Sequence, residues 1–449
     1  VVLPSTMQYG EISSDASSEA SSSPGGSSSS LVRTDSLASG IHEDTPYGHN
    51  SAEFRLSNLV LTDPDIFRGT TAAVPLERLG ALLSADDHDM VARGHSEDTY
   101  DRSFVVEELD EFWSHSWSGP FLDKMATLLL YYNGHVAYML GMFGAFVGAV
   151  FSWSVSIELP LLLSALTTLL LGLCCFLFGL FFFRSQRRVF LDRVCISQAD
   201  QQLKSQGIRS IGGVLRYSKT LLILWDRTHF SRLWCVFEQA AFYRLQALDA
   251  TKRIHIRPTI QGTFVLVLMA TNLSFVLVTI AHLSIAGYTD VNAIAQDPAL
   301  RARALFTVGV SQFWSLLPAS HLCRRFARDA ERLSRDFDRF SVRGANCFCC
   351  SNDHVHPDTN VPMTCDRAIV EMSICRWFGS LDDFDAFLHS LKPKYVVSVS
   401  LPYLATILIA SPQLWAMLGV IAWKLRVTGR TCAADWSSWR QADATNAII

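Results

Sequence analysis

Residues 136–190 decide the fold: VAYMLGMFGAFVGAVFSWS (136–154), VSIE (155–158), LPLLLSALTTLLLGLCCFLFGLFFF (159–183) and RSQRRVF (184–190). The hydrocarbon core of a bilayer is about 30 Å thick and takes about 20 apolar residues in a helix. Val136–Ser154 is Gly-rich, aromatic and uncharged, and Leu159–Phe183 has no Asp, Glu, Lys, Arg or His. The linker Val155–Glu158 is short enough to make the two runs a hairpin. Arg184, Arg187 and Arg188 follow at once, which places that end in the cytoplasm by the positive-inside rule. Runs this long, uncharged and flanked by Arg, read as membrane spans rather than core helices of a soluble protein.

Outward from the hairpin the pattern repeats. Thr263–Ile285 is a third expected span, preceded by Lys252, Arg253 and Arg257. Ala304–Leu322 is a fourth, interrupted by Gln312 and Pro318 and followed by Arg324, Arg325 and Arg328. Tyr395–Trp423 holds Pro402 and Pro412; a kinked single span and a re-entrant hairpin both fit it. Asn272 and Gln312 are the strongly polar mid-span side chains, and helix–helix hydrogen bonding accounts for them. With no ionisable group centrally placed, the spans read as an anchor, and function is expected in the aqueous parts.

The chain then divides into a disordered Ser-rich tail (1–50), an irregular segment (51–102) and a first α/β part (103–134). A transmembrane hairpin (135–183), a second α/β part (184–258) and a second hairpin (259–322) follow. An Arg-rich and Cys/His-rich segment (323–394), a C-terminal membrane segment (395–424) and a tail (425–449) complete it. The tail is too poor in apolar residues to offset its ordering entropy. No secretory leader is visible at the start, so targeting is expected from an internal span. A net charge of −4 argues against a nucleic-acid partner.

The aqueous parts read as α/β. Leu109–Trp117, Val189–Asp192 and Leu221–Trp225 have the length and apolarity of strands, the last that of a buried parallel one. Asp123–Tyr132 and Leu233–Leu248 have helical spacing. Ser380, with Asp383 three residues on, reads as the cap of a short amphipathic helix.

The string Phe190-Leu-Asp192, Ile211, Ser218-Lys-Thr-Leu-Leu-Ile-Leu and Ser231-Arg-Leu-Trp234-Cys235-Val-Phe-Glu238 resembles a Toll/interleukin-receptor (TIR) domain. The resemblance implies a cytoplasmic, flavodoxin-like parallel sheet, here interrupted by the hairpin 135–183, whose two feet emerge on one face. The pairs Phe-Trp-Ser-His-Ser-Trp (112–117) and Arg-Leu-Trp-Cys-Val-Phe-Glu (232–238) also resemble those of multi-span membrane proteins of unicellular algae. Enzymatic TIR domains cleave NAD, and the resemblance places Glu238 where their carboxylate stabilises an oxocarbenium-like transition state. Ser114, His115, Trp117 and Asp192 would then line the NAD-binding cleft, at the strand ends where open α/β sheets bind ligands. Receptor and adaptor members keep a similar Glu and only bind one another, and the Arg-Gly element of plant members is absent here. The implied function is therefore membrane-anchored signalling through self-association or binding of other TIR-like domains. NAD cleavage is the alternative, and a channel or transporter with a regulatory domain is a second.

Cys347, Cys349, Cys350, His354, His356 and Cys365 crowd into one short segment. On the reducing side of a membrane, such spacing suggests structural zinc in a tetrahedron of S and N ligands. Palmitoylation or simple burial of the thiols are the other readings.

Overall fold

A computed structural model describes residues 59–61, 63–83, 99–155, 161–246, 253–285, 297–355, 360–362, 365–393 and 402–446. Its sheet has six strands: β1 (Arg68–Thr71), β2 (Phe104–Val105), β3 (Leu109–His115), β4 (Arg188–Phe190), β5 (Ser218–Trp225) and β6 (Arg253–Pro258). Their order is β2-β1-β4-β3-β5-β6. The four strands β4, β3, β5 and β6 run parallel, and β1 and β2 add an antiparallel margin beyond β4. The three strands read from sequence thus lie side by side. Phe112 pairs with Phe190 on one side and Leu221 on the other. Leu221, Leu222, Ile223 and Leu224 are wholly buried, as a central parallel strand covered on both faces requires. β6 was not expected: its Arg253 and Arg257 read as the basic flank of a span, and in the structure they alternate with buried Ile254 and Ile256.

Among the described residues, four helices are long and apolar enough to cross a membrane: Phe121–Ser154, Leu161–Phe182, Ile260–His282 and Tyr403–Gly429. They belong to α2 (Phe121–Ser154), α3 (Leu161–Phe182), α8 (Ile260–Ile285) and α13 (Tyr403–Asn446). The last is a single helix running through Pro412, so from Tyr403 on the C-terminal segment has the single-span shape of the two expected; residues 394–401 lie outside the described residues. The run 304–322 is not among the four; it lies inside α9 (Pro298–Arg339), a 42-residue helix whose second half is rich in Arg and Asp.

Small residues let these helices close on one another. A Cβ on Gly172 would come 2.8 Å from Trp415 Cδ2, and one on Gly141 2.8 Å from Trp415 Cζ2, so the indole is seated between two bare backbones. Asn272 and Gln413 exchange side-chain hydrogen bonds, and Asn272 Nδ2 also donates to Ile409 O at 2.6 Å. This is the helix–helix role that its mid-span position suggested.

α2 joins the two parts of the molecule. It begins in the loop after β3 and runs unbroken for 34 residues, where the sequence suggested a short helix followed by a separate span. Tyr131 Oη donates to Glu111 Oε1 at 3.0 Å, Tyr132 also bonds this carboxylate, and Arg187 Nη1 lies 2.9 Å away. Glu111 is thereby a paired charge in the middle of the sheet, which its burial demands.

Candidate functional site

The remaining short helices are α1 (Ala73–Gly80), α4 (Asp192–Cys195), α5 (Gln201–Arg209), α6 (Ile211–Arg216), α7 (Leu233–Gln246), α10 (Phe348–Ser351), α11 (Asp366–Phe378) and α12 (Leu381–Ser390). α7 packs Phe237, Ala240 and Ala241 into the core, which aims Glu238 at the carboxyl end of β3. All five residues that the TIR resemblance singled out gather there. Trp117 Nε1 donates to Asp192 Oδ2 at 3.0 Å; His115 Nε2 is 4.0 Å from Asp192 Oδ1, its ring edge-on to Trp117. Ser114 Oγ is 3.1 Å from His229 Nε2 and bonds the Glu238 carboxyl.

This cluster lies in a medium that disfavours charge. Burial pushes the Glu238 carboxyl up to about 8, against the lowering effect of the Ser114 hydroxyl. Its Oε2 is shielded from solvent with no hydrogen-bond partner among the described residues. Burial, with the Lys124 charge adding to it, takes His115 down to about 3, and burial also lowers His229. Near neutral pH the cluster therefore holds two neutral imidazoles beside a carboxyl that is mostly protonated, an arrangement able to give a proton.

Several partners were not foreseen. Lys124 is fully buried and donates to Ser116 O at 2.6 Å; in sequence it looks like an ordinary exposed lysine of a first helical turn. Thr228 Oγ1 bridges Ser116 Oγ, at 2.7 Å, and Asp226 Oδ1, at 2.6 Å. Asp226 could have been found, because it follows directly on the apolar run of β5, at the ligand-binding end of such a strand. A cleft of about 380 Å³ opens beside the cluster, lined by Gly119, Asp123, Asp226, Arg227, Arg325 and Asp329 among others. Glu238, Ser114 and His115 do not line it; Trp117 and Lys124 stand near them instead. α9 closes the far wall, with Arg325 2.8 Å from Asp123 and Arg227 2.6 Å from Asp329.

A second cluster lies at α10 and the start of α11. Ligand atoms of Cys349, Cys350, His354 and Cys365 all lie within 4.8 Å of one another, so the group could hold a metal ion. Cys350 Sγ is 3.8 Å from Cys365 Sγ, 3.9 Å from Cys349 Sγ and 3.7 Å from His354 Nε2. A tetrahedron with Zn–S bonds of about 2.3 Å has S···S edges of about 3.8 Å, so the spacing and the S/N chemistry both fit zinc. Asp353 and His354 have φ of 50° and 59°, a left-handed turn that folds His354 back toward the thiols. Cys347 is 3.1 Å from Cys349 Sγ and belongs with Asp366 to a second, overlapping group. His356 lies outside the described residues.

The two clusters are joined. Leu233 N donates to Asn346 O, Asn346 N to Ser231 O, and Trp234 Nε1 to Asp366 Oδ2 at 3.2 Å. The thiol knuckle thus braces the first turn of the helix that carries Glu238.

Comparison of the chain with protein-family models, with curated proteins and with solved structures returned no match.

Proposed function

We propose that this chain is a membrane-anchored signalling protein whose TIR-like α/β domain faces the cytoplasm and acts by self-association or by binding another such domain. The observation that carries the reading is the strand order. Counted from β3, the parallel strands β4-β3-β5-β6 lie in the order 2-1-3-4, as in flavodoxin-like doubly wound sheets. The apolar hairpin α2–α3 leaves the sheet after β3 and returns to it at the neighbouring β4, so the domain closes over its own insertion. The Trp234-Cys235-Val-Phe-Glu238 string opens the helix expected of it.

Association rather than turnover is favoured by two features. Glu238 and Ser114 do not line the neighbouring cleft. Phe104 and Val105, on edge strand β2, are 42% and 51% exposed, an apolar edge of the kind that pairs with another chain. Zinc at Cys349, Cys350, His354 and Cys365 has a structural part in this reading, holding α7 in place.

Light scattering of the full chain in detergent tests it. Dimers or larger species are expected, and Val105→Lys should return them to monomers. A wild-type chain that is monomeric at every concentration ends the self-association reading and leaves only the binding of a different such domain. The partnerless Oε2 of Glu238 and its carboxyl near 8 favour a second reading, cleavage of NAD. NAD turnover by the full chain that disappears in Glu238→Ala would establish that reading in place of the first.

A further inference from the structure

A separate cleft, of about 170 Å³, lies where α2, the start of α8 and the start of α13 meet. Its level along the apolar helices is fixed by its own residues. His135 lies two residues after Asn133, whose Nδ2 donates to Leu180 O and Phe183 O at the end of α3. Gln261 is the second residue of α8, and Leu404 the second of α13. α8 and α13 thus begin at this cleft and α3 ends beside it, while α2 passes through, which puts the cleft at the depth where lipid headgroups meet a spanning protein.

The lining is divided by chemistry. Arg257 and His135 stand on the polar side, and Leu130, Val265 and Leu408 form an apolar floor. No carboxylate of the described residues lines it. Arg257 lies over the Tyr131 ring, its guanidinium carbon 5.6 Å from the centroid, which leaves the edge of the guanidinium available. Gln261 is 5% exposed, and its Nε2 has no hydrogen-bond partner among the described residues. A buried amide donor without an acceptor costs free energy unless a ligand supplies one. Cation, free donor and apolar floor together describe the complement of an anionic amphiphile.

We propose that this cleft binds the phosphate of an anionic phospholipid headgroup, held by Arg257 and by the Gln261 Nε2 donor, with the start of the acyl region against Leu130 and Val265. Arginine suits this task because its planar fork can give two hydrogen bonds to one phosphate.

The test uses the full chain in nanodiscs of phosphatidylcholine mixed with phosphatidylglycerol, with retained lipid counted by native mass spectrometry. Phosphatidylglycerol should be enriched on the protein, and Arg257→Gln should reduce the enrichment about tenfold, the worth of one charge-assisted hydrogen-bonded contact. Gln261→Leu keeps the charge and the approximate volume; it should reduce enrichment as well, and it carries the test if Arg257→Gln fails to fold. Arg209→Gln, on α5, should change nothing. Lack of preference in the wild type, or unchanged enrichment in both cleft variants, overturns the proposal. Inorganic phosphate that protects the lipid-free protein from heating as well as short-chain phosphatidylglycerol does would also overturn it, because the ligand would then be a free anion.

Discussion

At the scale of single residues, Glu238 and His115 are held away from their usual ionisation in opposite directions, and each has a consequence for stability. Glu238 has a folded value of about 8 against an ordinary 4.5, so between those limits the native state binds the extra proton and stability falls as pH rises. His115 has a folded value of about 3 against an ordinary 6.5, so stability gained from its neutral form is present above 6.5 and lost as pH falls toward 3. The two trends oppose one another below pH 6.5, and above it Glu238 acts without His115. Between pH 6.5 and 8 the thermal midpoint of the wild type should therefore decline. Glu238→Gln should remove that decline, worth at most about 1.4 kcal/mol per pH unit. Scanning calorimetry in detergent at four pH values checks this; equal slopes for the two proteins would mean that the carboxyl ionises normally. The sequence marked Glu238 through the Trp-Cys-x-x-Glu spacing. It could not mark Lys124, because a lysine in a first helical turn looks alike in sequence whether it meets water or a carbonyl.

At the scale of elements, the seat of Trp415 between α2 and α3 is a tight join in the apolar bundle. A side chain at Gly172 has no room, since its first carbon would already press on the indole at 2.8 Å. Gly172→Leu is expected to lower stability by about 1–3 kcal/mol, the usual cost of overpacking a well-filled core. Gly309→Leu is the control, because a Cβ there meets nothing within 4 Å. Thermal unfolding of both variants decides the matter, and equal midpoints would show that the seat is loose. The small residues of 136–154 announced close packing in the sequence, but not which partner they admit. Trp415 lies well over two hundred positions away, and no local pattern joins the two. β6 was missed for a similar reason: alternation of Arg with Ile over six residues is a strand signal, and the same two arginines also satisfy the rule for the flank of a span.

At the scale of the whole molecule, the apolar runs made the helical bundle legible, because length without charge is a strong signal. The sheet was legible only in its middle, where β3, β4 and β5 are apolar. Its antiparallel margin, β1 and β2, is too short and mixed to be read. The thiol knuckle was visible as a cluster, but its attachment to α7 through Asn346 and Asp366 was not. That attachment yields a further expectation. Protein purified without chelator should hold about one zinc per chain by elemental analysis, and Cys365→Ser should lose it. Chelation should speed hydrogen exchange around 346–352 and also at the first turn of α7, since ligand loss removes stabilisation from everything the knuckle holds. Exchange that quickens in neither segment would mean the thiols are merely buried. One further consequence follows from α2. At about 1.5 Å per residue its 34 residues make a rod of about 50 Å, with Asp123 gripped by Arg325 near one tip and the carbonyl of Ser152 by Arg426 near the other. A lever that long turns a tilt of about five degrees into about 4 Å of travel at its far tip. Anything that wedges open the loop after β3 is therefore felt at the far tip of the rod without a messenger in between.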